Sequence, residues 1–241
     1  MSTAACTPWV PASRRRDRVG RFPDPRTAPA DGPLAWGGDL RVETLIEAYR
    51  EGIFPWPAQD GSVWWWSPDP RAVIAPGGLH VSRSLRRTLR RGVYHCSSDT
   101  AFADVIAACA HRPGEGTWIT PEMRTAYLRL HHSGVAHSVE VWNLDDELVG
   151  GLYGVASGAL FCGESMFHRA RDASKVAMVA TMRIIERCGF ALFDVQLPTP
   201  HLASMGAITI ERDLFLDLVH AHRDAVVMWD ATAARGDLLR A

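Results

Sequence analysis

Residues 161–167 read FCGESMF, and this stretch decides how the fold around it is interpreted. It places Glu164 and Ser165 between two phenylalanines, with the backbone freedom of Gly163 beside them. The segment is too apolar for a solvated turn and too polar for an inert core. We expect it to lie between a pair of strands and a helix, where the chain crosses a sheet edge. Side chains there can enter a pocket.

A second segment, residues 193–196, reads FDVQ and is typical of a short buried strand that contains a carboxylate. A buried Asp is costly unless it is paired or hydrogen-bonded. Asp194 and Gln196 are two residues apart, so on a strand both point to the same face. We therefore expect both to reach one pocket. From the residues alone, an Asp that only satisfies backbone groups is the alternative.

Helical and strand patterns alternate around these two segments. Strands are predicted over residues 72–75, 137–142, 148–156, 159–162 and 191–196. Helices are predicted over residues 42–52, 82–91, 98–109, 120–134, 173–188 and 201–205. Strands in consecutive hairpins with flanking helices indicate an α+β or mixed α/β fold.

The chain divides into three predicted parts. Residues 1–30 are rich in Pro, Arg, Ala and Asp without periodicity, which predicts a disordered or loosely ordered extension. A small N-terminal domain is predicted over residues 31–69. The larger domain then covers residues 70–241, after the proline-fixed connection SPDPR at residues 67–71.

The net charge of −1 argues against a uniformly basic nucleic-acid binder, although a local basic patch is compatible with it. The predicted helix at residues 82–91 is such a patch, because it contains five arginines and no acid. The arginines are Arg83, Arg86, Arg87, Arg90 and Arg91. They form either a solvated face or a contact with a phosphate backbone.

The five cysteines are widely spaced and form no CxxC pair, which favours a reducing cytosol over a disulfide framework. The spacing of the histidines and cysteines does not match a zinc site, so no metal is predicted. No stretch is long and apolar enough to span a bilayer. The arginines at residues 14–16 are not followed by the apolar segment of a secretory signal. We therefore expect a cytoplasmic protein without membrane contact.

A series of blocks between residues 34 and 215 resembles the leucyl/phenylalanyl-tRNA–protein transferase family. In chain order they are LAWGGDL (34–40), EAYREGIFPW (47–56), WWSPDPRAVI (65–74), LHVSRSL (79–85), GTWIT (116–120), AHSVEVW (136–142), LVGGLYGVASGALFCGESMF (148–167), ASK (173–175), DVQ (194–196) and HLASMGA (201–207). So many long blocks in one order make the resemblance specific.

The resemblance implies a small N-terminal domain followed by a GNAT-like (acetyltransferase-like) domain. It also implies an enzyme that moves Leu or Phe, with Met as a further candidate, from aminoacyl-tRNA to protein N-termini bearing Arg or Lys. This transfer marks the acceptor for N-end-rule degradation. No cofactor is required, because the ester of the donor is already activated relative to the amide product.

The resemblance also assigns roles to individual residues. The catalytic pair corresponds to Asp194 and Gln196, and Glu164 lines the aminoacyl site. The amino-acid pocket corresponds to Leu152, Phe161, Met178, Ile185 and Phe193. The surroundings of the terminal adenosine correspond to Trp56, Trp118 and Tyr127, and the tRNA-facing basic positions to Arg83 and Arg87. From the residues alone, the apolar positions and Tyr127 are typical of core.

Two other functions are compatible with such a fold. An acyl-CoA acetyltransferase would need a glycine-rich Q/R-x-x-G-x-G/A turn before a helix, and residues 162–175 contain one glycine and no such turn. The sequence therefore disfavours an acyl-CoA donor. A non-catalytic RNA-binding module is the third possibility, and it predicts that Asp194→Ala leaves function intact.

Overall fold

The computed structural model describes residues 7–8, 22–57, 61–111 and 117–234. The strands of these residues form two sheets. The small sheet has the order β1-β2-β4-β3, with β1 Thr7–Pro8, β2 Ala35–Trp36, β3 Phe54–Pro57 and β4 Val63–Trp66. The large sheet has the order β11-β5-β10-β9-β8-β7-β6, with β5 Arg71–Ile74, β6 His95–Ser98, β7 Ala136–Trp142, β8 Leu148–Ser157, β9 Leu160–His168, β10 Leu192–Gln196 and β11 Ile208–Ile210.

Helices cover both faces of the large sheet and give the described residues two main apolar cores. The helices are α1 Val42–Arg50, α2 Arg83–Arg90, α3 Phe102–Ala110, α4 Pro121–His132, α5 Ala173–Cys188, α6 Pro200–Ser204 and α7 Arg212–His222. Helices α2 and α5 belong to one core, and α1, α3 and α4 to the other. The predicted fold, a small N-terminal part followed by a larger mixed α/β part, is confirmed. No helix in the described ranges is long and apolar enough to cross a membrane.

One parallel pair in the large sheet, β9 with β10, creates the opening that holds the site. The two strands pair only at Leu160–Leu192, Phe161–Phe193 and Cys162–Asp194. Beyond this point β9 continues along β8, whereas Gln196 of β10 pairs with Ala72 of β5. The strands therefore diverge after Cys162 and Asp194, and a cavity lies where they separate.

Two predicted element boundaries are wrong by more than two residues. The third hairpin strand does not end at Cys162 but continues to His168, so the FCGESMF stretch lies in the middle of the sheet. Its pairing with the glycine-rich segment of β8 maintains the strand. Ser98 does not begin a helix either: it ends β6, where its hydroxyl donates to the Ser138 carbonyl, and the helix begins at Phe102.

Residues 22–30 are packed rather than loosely attached. Phe22 meets the ring of Trp65 edge-on at 4.7 Å, and Ala28 is buried. The buried guanidinium of Arg212 donates to the carbonyl oxygens of Arg26 and Pro29, which fastens this segment to the start of α7. The remainder of the predicted extension, apart from β1, lies outside the described residues.

The connection between the two sheets runs through residues 67–70, where the domain boundary is predicted. Helix α1 packs on β3 of the small sheet and on β8 of the large sheet. The two parts are thus in direct contact, and the division at residues 69 and 70 stays a prediction.

Candidate active site

A cavity of about 310 Å³ opens where β9 and β10 diverge. Seven residues to which the resemblance assigns a role line it: Trp56, Trp118, Leu152, Glu164, Met178, Phe193 and Gln196. The remaining lining residues are Gly163, Ser165, Met166, Val195, Leu197, Thr199 and Leu202. The cavity is therefore apolar on one side and polar at Glu164 and Gln196, as ligand sites commonly are.

Glu164 accepts two hydrogen bonds that fix its carboxylate. One oxygen accepts from the Tyr127 hydroxyl at 2.8 Å, and the other accepts from the Gln196 side-chain amide at 2.7 Å. The Tyr49 and Tyr127 hydroxyls are 2.5 Å apart, which extends the network inward. Burial raises the pKa of Glu164 to about 7, against the lowering effect of the Tyr127, Tyr49 and Gln196 hydrogen bonds. A carboxyl group with this pKa can exchange a proton at neutral pH.

The conformation of Gln196 determines which end of its amide is available. Its backbone has a φ of 64°, in the left-handed region that non-glycine residues rarely adopt, and its N–H donates to Asp194 at 2.9 Å. Because the amide nitrogen donates to Glu164, the amide oxygen remains to accept a hydrogen bond from a ligand. Residues held by their surroundings in this region are frequent at functional sites, which makes Gln196 a candidate site residue.

Asp194 does not reach the cavity, so the expectation that it shares a pocket with Gln196 is wrong. Its side chain is fully buried, and its two oxygens accept from Arg71 Nε at 2.9 Å and Arg71 Nη2 at 2.6 Å. The Arg71 guanidinium lies over the rings of Phe54 and Phe215. Asp194 thus holds the Gln196 backbone and would act through it. Arg71 was missed from the sequence, although a buried Asp signals a cationic partner.

The apolar wall of the cavity contains only part of the predicted pocket. Leu152, Met178 and Phe193 line it, whereas Phe161 and Ile185 belong to the core and are not among its lining residues. The Phe161 ring packs against Phe193 at 5.8 Å and stacks on Trp229 at 4.6 Å, so it supports the wall from behind. Phe161 and Ile185 were wrongly expected to line the pocket because core and pocket residues have the same composition.

The aromatic residues at the mouth are also arranged differently from the expectation. Trp56 and Trp118 stack on each other with ring centroids 5.1 Å apart, so a base would stack on the outside of the pair or part the two rings. Tyr127 is fully buried and hydrogen-bonds to Glu164, so it offers no face to a base. Tyr127 is buried because it lies on the apolar face of α4.

Cys162 lies next to the site but is suited to packing. Burial raises the pKa of its thiol, and the neighbouring Asp194 carboxylate raises it further. The residue is therefore a neutral thiol at physiological pH and a poor nucleophile.

Helix α2 presents its arginines to solvent. Ser82 caps the helix through the Leu85 N–H, and Leu85 and Leu89 are the residues that anchor it. The five arginines are exposed, and none forms an ion pair with another described residue. The Thr88 hydroxyl donates to Asp172 at the start of α5, which fixes the orientation of the basic face.

The sequence matches two models of one family over most of its length. The model described as leucyl/phenylalanyl-tRNA protein transferase matches residues 73–220, and the model of that protein's N-terminal domain matches residues 38–69. The chain belongs to this family. Its matches reach from α1 to α7 and include both β9 and β10.

Three relatives that match most of this chain support the assignment. Each bears the name leucyl/phenylalanyl-tRNA–protein transferase. The Aromatoleum aromaticum protein is 58% identical over 77% of this chain and 78% of its own length. The Stutzerimonas stutzeri protein is 54% identical over 87% of this chain and 94% of its own length. The protein of Anaeromyxobacter sp. is 56% identical over 84% of this chain and 88% of its own length.

Solved structures give weaker matches. The structure of L-PGS from Bacillus licheniformis has a TM-score of 0.40 at 10% identity, covering 70% of this chain and 54% of that one. A GCN5-related N-acetyltransferase from Kribbella flavida has a TM-score of 0.38 at 11% identity, and the match covers 65% of this chain and 56% of that one. This chain thus spans just over half of each. At these TM-scores the likeness supports no inference about function.

Proposed function

We propose that this enzyme transfers Leu or Phe from aminoacyl-tRNA to the α-amino group of proteins that begin with Arg or Lys. The observation that carries the proposal is the Glu164 carboxylate, held between a Tyr127 hydroxyl and a Gln196 amide beside an apolar pocket. The product marks the acceptor for N-end-rule degradation. We place the reaction in the cytoplasm, in agreement with the dispersed cysteines of the sequence.

The reaction is an aminolysis of an ester. The α-amine nitrogen of the acceptor attacks the carbonyl carbon of the aminoacyl ester, the new C–N bond forms, and the bond from that carbon to the ribose oxygen breaks. The proton lost by the amine ends on the ribose oxygen, which leaves as a hydroxyl. An N-terminal α-amine has a pKa of about 7.7, so a useful fraction is neutral at cytosolic pH. Positioning of the two substrates supplies much of the rate.

Gln196 and Glu164 would direct the attacking amine. The Gln196 amide oxygen accepts a hydrogen bond from it, and the Glu164 carboxylate takes the proton that the nitrogen loses and passes it to the ribose oxygen. Arg71 and Asp194 hold Gln196 in place. In this scheme Asp194 is a positioning residue, whereas Gln196 and Glu164 contact the substrate.

The donor would be bound by its two apolar parts. Leu152, Met178 and Phe193 receive the amino-acid side chain, and the Trp56–Trp118 pair stacks on the terminal adenine. Met166 and Met178 in the wall are flexible and polarizable. An apolar pocket distinguishes ligands by only about 1–3 kcal/mol per methylene. Use of Met as well as Leu and Phe is consistent with such a wall.

The direct test is transfer from charged Leu-tRNA to a peptide that begins with Arg or Lys. The expected result is a peptide one Leu longer, detected by mass spectrometry. Absence of product, while a family member of known activity works in parallel, would overturn the proposal.

An acyl-CoA acetyltransferase is the second candidate. Helix α5 follows β9 as the phosphate-binding helix of such an enzyme would, but its N-cap is Asp172 and residues 164–172 contain no glycine. A carboxylate at this position opposes a pyrophosphate. Tight binding of acetyl-CoA, measured by calorimetry, would favour this candidate over the transferase.

The double substitution R83A/R87A is expected to weaken the binding of Leu-tRNA and Phe-tRNA alike. Contacts with phosphates add affinity without reading sequence, and each lost contact reduces the salt dependence of log K by about one unit of slope. Filter binding at several salt concentrations measures both effects.

The control donor for this double variant is an aminoacyl-adenosine, which has no acceptor stem for the arginines to hold. Transfer from it is expected to change little. Equal loss on both donors would show that α2 is structural or catalytic.

A further inference from the structure

The segment that follows α7, residues 223–234, lies beyond the family match, which ends at residue 220, and the proposed reaction uses none of it. The segment is nevertheless held at both ends. At its start the Ala159 N–H, in the turn between β8 and β9, donates to the His222 carbonyl at 3.1 Å. Near its end the Asp230 N–H donates to the Cys188 sulfur at 3.4 Å, where α5 ends. The segment is therefore docked between this turn and α5.

Trp229 is the residue by which this segment enters the core. Val226 and Met228 are 91% and 77% exposed, whereas the Trp229 ring is half-buried and packs on the core that contains α2 and α5. The indole N–H donates to the Ser98 hydroxyl at 2.9 Å, at the end of β6. The ring also stacks on His137 with 4.9 Å between the ring centroids. The hydrogen bond and the stacking together fix the plane of the indole.

The indole contacts the wall of the amino-acid pocket through two phenylalanine rings. It stacks on Phe161 at 4.6 Å, and Phe161 packs at 5.8 Å against Phe193, which lines the cavity. Phe190 meets the rings of Phe161 and Trp229 edge-on at 6.2 and 6.1 Å. On the sheet, a Cβ atom at Gly154 would lie 2.7 Å from the Phe161 ring, so that ring lies directly on β8. Because such a cluster contains few voids, a change in the indole reaches Phe193.

We propose that Trp229 is a positioning residue that sets the size of the amino-acid pocket through Phe161 and Phe193, and with it the preference between Leu and Phe. The inference rests on the proposed function and adds a determinant of donor selectivity that lies outside the cavity. Loss of the indole leaves a void next to Phe161, into which the two phenylalanine rings can relax. The pocket then becomes larger, which favours the Phe side chain over the smaller Leu side chain.

The test measures transfer to a peptide that begins with Arg, at a saturating concentration, from one tRNA body charged in turn with Leu and with Phe. Contacts with the tRNA and the acceptor then cancel in the ratio of the two kcat/KM values, and so does a general loss of folded enzyme. In W229L the Phe-to-Leu ratio is expected to rise about tenfold, the low end of the discrimination that one methylene gives in an apolar pocket. In W229F, which leaves a smaller void, the rise is expected to be about threefold.

Trp142→Leu is the matched control. Trp142 is also half-buried, donates its indole N–H to a serine hydroxyl, that of Ser97 at 2.8 Å, and stacks on a histidine, His95, at 6.4 Å. It lines a different cavity, beside α3, and the Phe-to-Leu ratio of W142L is expected to equal that of the wild type. An unchanged or lowered ratio in W229L and W229F overturns the inference, and so does an equal rise in W142L.

The double variant F161L/W229L tests whether the indole acts through Phe161. If it does, the Phe-to-Leu ratio of the double variant is expected to be nearly that of F161L, whereas independent effects that multiply would overturn the inference. W229F provides the answer if W229L does not fold. If the wild type transfers neither amino acid to the peptide, the proposed function fails and the inference fails with it. Transfer of both amino acids with an unchanged ratio overturns the inference alone.

Discussion

Replacing Arg71 with Met is expected to destabilise the folded protein by about 3–5 kcal/mol. The reason is that the partner carboxylate would stay buried, where water cannot take the place of the lost guanidinium. Arg71 is 1% exposed and Asp194 is 0% exposed, so the Asp194 carboxylate would be left in the core without its cation. The Phe54 and Phe215 rings on either side of the guanidinium would lose their contacts with it as well. Equilibrium unfolding in urea at neutral pH measures the change.

Two further variants distinguish the contribution of the ion pair to the free energy of unfolding from the contribution of packing. The double variant R71M/D194L removes both charges and is expected to recover much of the lost free energy, since an apolar pair can replace a buried ion pair. R50A breaks the surface pair of Arg50 with Asp224, which is solvent-exposed, and is expected to cost about 1 kcal/mol or less. A double variant no more stable than R71M would show that charge burial is not the cause.

The pairing of Arg71 with Asp194 could not be predicted from the sequence. The need for a partner of Asp194 follows from the cost of burial, but Arg71 is 123 residues away in the chain, and no local pattern connects the two. The displacement of Asp194 from the cavity also depends on the irregular pairing of β10 with β5 between residues 194 and 196. Alternation along a strand is a local rule, and this irregularity cancels it.

Elements with strong local signals were predicted well. Helix α5 has the predicted bounds because Gly189, with a φ of 82°, ends it. Helix α4 begins where a helix over residues 120–134 is predicted, because the Thr120 hydroxyl accepts the Met123 N–H and Pro121 is the first helical residue. These signals are capping residues, which act over a few positions.

Elements that depend on distant partners were predicted less well. Strand β9 passes through Gly163, Glu164 and Ser165, which have low strand propensity, and at these residues its pairing with β8 maintains the strand. Gly163 is required there because a Cβ atom would lie 2.8 Å from the Phe193 ring. Tyr127 and Glu164 were both predicted to be site residues, but the hydrogen bond between them depends on the fold and could not be predicted.

Glu164→Gln is expected to lower kcat/KM for transfer by roughly 10²–10⁴-fold at pH 8, since that is the usual contribution of a positioned acid–base group. Gln cannot take a proton from the attacking amine. Binding of Leu-tRNA is expected to stay near the wild-type value, because the Trp56–Trp118 pair and the α2 arginines are unchanged. Ser165→Ala is the matched control, since Ser165 lines the same cavity and its hydroxyl forms no hydrogen bond with a described residue, while its backbone pairs with Tyr153 in either variant.

The pH dependence provides an independent test of the same residue. Because the pKa of Glu164 is about 7, its carboxylate form increases as pH rises through 7, and wild-type kcat/KM should rise with it. The acceptor α-amine adds a second rise near its pKa of about 7.7. The neighbouring Tyr49, Tyr127 and Tyr153 hydroxyls remain protonated, since burial raises the pKa of each phenol. E164Q should keep only the rise that belongs to the amine.

The ionisation of Glu164 should also change the free energy of unfolding, which should fall over the pH range in which kcat/KM rises. A carboxyl group whose pKa is raised on folding favours the folded state below its unfolded pKa of about 4.5, and this advantage is lost as pH rises through 7. The free energy of unfolding of the wild type should therefore fall relative to E164Q between these values. His201 lies next to Leu202 of the cavity wall, and burial together with the neighbouring Lys175 and His168 lowers its pKa. A rate profile that keeps its lower rise in E164Q and loses it in H201Q would assign the proton transfer to the histidine instead.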